Sequence, residues 1–96
     1  MTILELTDSG LYCPPADIFI DPWRPVAKAV ITHAHADHAK KGNENVYCTP
    51  ATADLILHRY KTAFRSKITR INYHETFQVN DIKITLVSAG HMLGSA

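Results

Sequence analysis

Cysteine is scarce in this sequence, long apolar runs are missing, and neither sign of charge prevails. The two cysteines, Cys13 and Cys48, stand in no CxxC pair and allow at most one bridge. The opening MTILELTDSG carries acids where a signal peptide carries basic residues, and it has no sustained apolar run. No stretch approaches the length of a membrane span, so a membrane partner is not expected. These absences together point to a reducing cytoplasm with both thiols free. Ten Lys and Arg against nine Asp and Glu leave a formal charge of +1, which argues neither for nor against a nucleic-acid partner. Internal repeats, low-complexity tracts and linkers are also missing.

What is present is an ordinary globular composition, 46% hydrophobic and 20% charged over 96 residues. That length allows one domain with a modest core. ILEL, GLYC and DIFID are short strand-like runs separated by the turn signals Asp8, Ser9, Gly10 and then Pro14, Pro15. Pro22 and Pro25 flank Trp23 and Arg24 in an irregular link. AKAVIT reads as a buried strand and NVYC as another. Thr49 then suits an N-cap and Pro50 the first helical position. The helix PATADLILHRYK places Ala53, Ile56, Leu57 and Tyr60 on one side. After it come ITRINY and a hairpin, TFQV and IKITLVSAG, turning at Asn80 and Asp81. Strands with one clear outer helix predict an α/β layered domain.

Half of the six histidines fall in one place or its direct continuation: VITHAHADHAKKG holds His33, His35, Asp37 and His38 within six residues. Crowded imidazoles repel one another when protonated, and a metal ion offsets that repulsion. In extended backbone the side chains of residues i and i+2 point the same way, so His33 and His35 can converge on one ion. Asp37 and His38, where the chain turns, can serve a neighbouring ion. Imidazole with carboxylate suits zinc, iron or manganese, zinc being the most common. LVSAGHMLGSA repeats the design of apolar strand, small residue, glycine and histidine, which makes His91 a third imidazole for the first ion. His58, within the helix, reads as a surface residue and His74 as a structural one. The run HRYKTAFRSKITR contains Arg59, Lys61, Arg65, Lys67 and Arg70 and no acid. It reads first as a solvated face, and as a phosphate-contacting patch only if the chemistry elsewhere points to nucleic acid.

The H-x-H-x-D-H motif of His33, His35, Asp37 and His38 after a strand resembles the metallo-β-lactamase superfamily. GLYCPPADIFIDPWRPVAKAVITHAHADHA together with SAGHMLGSA is similar to its β-CASP-type nuclease branch. Within that branch the nearest likeness is to bacterial ligase-associated DNA exonucleases and mRNA 3′-end-processing factors. The resemblance implies an αββα sandwich. It also implies two zinc ions, with manganese as a substitute, one on His33, His35 and His91 and the second on Asp37 and His38. A hydroxide between them would attack the phosphodiester, and Asp37 would orient it and accept its proton. The implied setting is DNA repair beside a DNA ligase, on DNA ends before RNA.

Members of this family continue past the third motif with a metal-bridging aspartate, a last metal-binding histidine and a β-CASP insert. Residues 1–96 are therefore expected to be the N-terminal portion of such a domain, inactive alone. Three alternatives stand beside the DNA exonuclease: an RNA-processing nuclease of the same branch, a thioester or lactone hydrolase of the superfamily, and a non-catalytic metal-binding module.

Overall fold

The structure is a computed structural model that describes residues 4–35, 38–90 and 93–96. Eight short strands and one helix follow in chain order. These are β1 (Glu5–Thr7), β2 (Gly10–Cys13), β3 (Ile18–Ile20), β4 (Lys28–Val30), β5 (Asn45–Cys48), α1 (Pro50–Tyr60), β6 (Lys67–Arg70), β7 (Thr76–Val79) and β8 (Ile82–Thr85). The first six strands form one sheet in sequence order, and β7 and β8 form a separate antiparallel ribbon. β1, β2 and β3 pair antiparallel; β3, β4, β5 and β6 are mutually parallel. The mixed α/β class expected from the sequence is what the chain adopts.

Alternation along the strands divides the core between two faces of the sheet. Ala29, Ile31, Val46 and Cys48 pack on one face with Ala53, Ile56 and Phe64, and Leu57 and Tyr60 close over them. Ile18 and Val30 pack on the other face with Val79 and Leu86 of the hairpin region, and Tyr47 stacks on Phe77 there at 5.0 Å. The sheet thus lies between one helix and one hairpin. Cys13 and Cys48 belong to opposite faces, so both stay free and buried. Burial pushes the Cys48 thiol up to about 12, which holds it protonated. Among the described residues no helix is long and apolar enough to cross a membrane.

The helix begins as its sequence dictates. Thr49 takes an extended conformation, its hydroxyl accepts from the Thr52 N–H, and Pro50 fills the first turn. The hairpin turns at Asn80 and Asp81, with Asn80 in the left-handed region at φ 53°. Two strands are shorter than expected. AKAVIT enters the ladder only from Lys28 to Val30, because the Thr32 N–H turns aside to the Asp21 carboxylate. LVSAG lies beyond the end of β8 at Thr85, and the Leu86 carbonyl instead accepts from His74 N–H at 2.6 Å.

Parallel pairing brings the C-terminal ends of β3, β4, β5 and β6 to one rim. The antiparallel register of β1 and β2 adds their connecting turn, Asp8 and Ser9, to the same rim. Asp21, Thr32, Thr49 and the start of α1 therefore sit on one edge, where open α/β sheets generally place their sites.

Candidate metal centre

Asp21 follows β3 directly and holds φ 46°, an uncommon conformation for a residue with a side chain. Its N–H donates to Val30 O at 2.9 Å, which ties it to the end of β4. Its carboxylate then crosses to the histidine loop. Oδ1 accepts from Thr32 N–H at 2.7 Å, and Oδ2 accepts from the Thr32 hydroxyl at 2.5 Å. His38 Nδ1 lies 3.0 Å from the same Oδ2. The carboxylate is only 14% exposed, against 39% for the His38 side chain.

These contacts favour one placement of the protons. An ionised carboxylate only accepts, so the single Thr32 hydroxyl proton points at Asp21. The Thr32 oxygen, 2.8 Å from His33 Nδ1, must then accept there. This arrangement matches rings protonated on Nδ1, the tautomer that leaves Nε2 as the nitrogen a metal would take. One aspartate sets both rings, one directly and one through Thr32.

The three imidazoles are close. The rings of His33 and His38 stand 4.1 Å apart between centroids, and those of His33 and His35 5.0 Å apart at 83°. The His38 and Ala39 N–H groups both donate to His35 O, at 2.9 and 2.8 Å, which ties the two sides of the loop together. The helix grips the loop from outside, through Arg59 Nη1 to Ala34 O and the Tyr60 hydroxyl to Ala39 O. Asp21, His33 and His38 each offer a ligand atom within 4.8 Å of the others. A carboxylate with two imidazoles is a donor set that fits zinc. The Asp21 oxygens also bond Thr32 and lie against His38, so the same carboxylate orients the loop that carries the two rings.

Residues 93–96 are laid beside this loop. Ala96 N–H donates to Thr32 O at 2.8 Å, and Ala89 N–H to Ser95 O at 3.2 Å. Gly94 O accepts from the Thr49 and Thr52 hydroxyls at 2.6 and 2.9 Å. A Cβ on Gly94 would stand 2.6 Å from Thr52 N, and its φ of +82° also favours glycine.

His33, His35 and His38 thus come together as the sequence suggests, whereas Asp37 and His91 lie outside the described residues. His58 and His74 are both exposed. Asp21 was not among the expected site residues. Its signal is an acid at the end of the apolar run IFI, which matters only once β3 pairs with β4. The basic run does not form one face. Arg70 ends β6 opposite Cys48, on the rim, while Lys67 starts it opposite Asn45, at the far edge. Arg65 lies with Gly42, Asn43 and Glu44 towards that far edge. Arg59 is occupied with the histidine loop, and Arg70 makes a loose, exposed pair with Asp54 at 3.5 Å.

No family model matches the chain, and no solved structure matches it. Among curated proteins, it is 32% identical over 88 residues to a probable DNA ligase of Opitutus terrae, covering 91% of this chain and 8% of the ligase. It is 29% identical over 110 residues to an RNase J-like protein of Methanocaldococcus jannaschii, covering 95% of this chain and 26% of that protein. It is 46% identical over 43 residues to the endoribonuclease YSH1 of Yarrowia lipolytica, covering 45% of this chain and 5% of the enzyme. The chain spans about a quarter or less of each relative. These short, low-identity likenesses support a nuclease family and nothing finer.

Proposed function

We propose that residues 1–96 are the N-terminal, metal-binding portion of a dinuclear zinc phosphodiesterase of the β-CASP-type metallo-β-lactamase branch, acting on DNA ends in the cytoplasm. The observation that carries this reading is the clustering of His33, His35 and His38 on the sheet rim, with Asp21 holding two of their protons on Nδ1. In this reading His33, His35 and His91 hold one zinc, and Asp37 and His38 contribute to the second. The docking of Ala96 on Thr32 supports a role for the His91 segment beside the first cluster. The helix, sheet and hairpin layers support one half of an αββα sandwich. An apolar groove of about 350 Å³ between the sheets, lined by Ile18, Ile20, Val30, Ile82 and Ile84, suits cover by further strands of a longer protein.

When bound, a zinc pair supplies a hydrolytic water acidified from about 15.7 towards about 7 and offsets charge on the attacking and leaving oxygens. The chain's own residues prepare that chemistry. Asp21 and Thr32 fix the imidazole tautomers before any metal arrives, so no reorganisation is needed on binding. Arg59 and Tyr60 hold the loop that carries the ligands. Asp37 is assigned the proton-accepting role. Arg70 is the member of the basic run best placed for a phosphate.

The ligase name of one relative supports DNA; the ribonuclease names of the other two favour RNA as the second reading. A substrate panel on the full-length protein, with zinc or manganese, decides. End-labelled DNA should be shortened from its ends faster than RNA of the same sequence, and thioesters and lactones should persist. Cleavage of thioesters or lactones alone would replace the nuclease with a small-molecule hydrolase. Metal-raised stability without any hydrolysis would leave a binding module.

A further inference from the structure

Trp23, the one tryptophan in the sequence, is half exposed at 50%. Tryptophan is on average among the better-buried side chains, so a half-exposed ring calls for a physical reason. This ring is also fixed. Its Nε1 donates to Asp8 O at 2.7 Å, its backbone N–H donates to Ser9 O at 3.0 Å, and Pro22 beside it is fully buried. Gly10 lies beneath: a Cβ there would meet Pro22 Cα at 3.0 Å and Trp23 Cε3 at 3.6 Å.

The strand registers put this ring on the rim that carries the histidines. The Asp8 and Ser9 turn joins β1 to β2 at that edge, and Trp23 is two residues from Asp21, within about 7 Å of chain. Its surroundings differ from those of two other exposed apolar residues, Leu4 and Val87. Leu4 and Val87 border the apolar groove between the sheets, among aliphatic neighbours. Trp23 stands between exposed Asp8 and exposed Arg24, a single aromatic face in a polar frame.

An indole held in place and followed in the chain by an exposed arginine offers a partner for each half of an unpaired nucleotide. The base stacks on the ring, and the phosphate meets the cation. A base within a duplex has its faces covered by its neighbours and gains nothing there. We propose that Trp23 is a stacking platform for an unpaired base of the strand entering the metal centre, with Arg24 contacting its phosphate. This rests on the nuclease reading and adds to it a preference for single-stranded nucleic acid.

The test uses the full-length protein with metal bound and a phosphorothioate-linked deoxythymidine octamer, which resists cleavage. Trp23→Leu should weaken octamer binding about 5- to 150-fold and leave the affinity for a blunt duplex within about twofold. Trp23→Phe should restore most of the octamer affinity, because a ring is retained. Arg24→Gln should lower the salt dependence of binding by about one counterion. Metal content, read by mass spectrometry, should stay at the wild-type level in all three. Unchanged octamer binding by Trp23→Leu overturns the platform, and a changed sedimentation coefficient in that case assigns the ring to a protein partner. Equal losses for octamer and duplex, or loss of metal, also overturn it, making the ring structural. If the wild-type protein cleaves no phosphodiester, the nuclease reading falls separately.

Discussion

At the scale of single residues the candidate site turns on one carboxylate, that of Asp21. Asp21 accepts from Thr32 twice and lies 3.0 Å from His38 Nδ1, which in the proposed reading leaves Nε2 of two imidazoles to face a metal. Outer partners of this kind typically account for 10- to 100-fold in metal affinity. Asp21→Asn introduces a donor where only acceptors serve, and one of its three contacts becomes donor against donor. The variant should bind zinc about 10- to 100-fold more weakly in competition with a chromophoric chelator. Wild-type affinity would show that the histidines hold their tautomers without it. The nearness of His33, His35 and His38 follows from their spacing after an apolar strand, which is visible in the chain. Asp21 was not, because it lies 12 residues before His33 and reaches it only through the parallel pairing of β3 with β4.

At the scale of elements, local chemistry was readable and long-range docking was not. Thr49 and Pro50 announce the helix, and Asn80 with Asp81 announces the hairpin, because caps and turns are written in neighbouring residues. The strand at residues 27–32 was over-read, because the side chain that ends it comes from another element. Nothing in GHMLGSA reveals that the Gly94 carbonyl would be held by two threonines of the helix start, more than 40 positions away. That contact makes the helix cap part of the site: Thr49 orders α1 with one lone pair and holds Gly94 with its proton. Gly94→Ala meets both a left-handed φ and a 2.6 Å approach to Thr52 N. It should lower the melting temperature by several degrees and weaken metal binding, as read by thermal scans with and without zinc. A variant as stable as wild type would mean that residues 93–96 do not dock on the helix.

At the scale of the whole molecule, the fold sorts residues that the sequence runs together. The basic stretch looks continuous in the chain, but helix and strand carry its parts to opposite edges of the sheet. Arg65 and Lys67 lie away from the candidate site, whereas Arg70, Trp23, Asp21 and the histidines share one rim. The central claim is that this rim is a catalytic metal centre, and one measurement tests it most directly. Zinc content and cleavage of end-labelled DNA are determined on the same samples of the full-length protein and its His33→Ala variant. The account predicts two zinc ions in the wild type, at least one lost in the variant, and cleavage abolished with it. Full zinc and full cleavage in His33→Ala would contradict it.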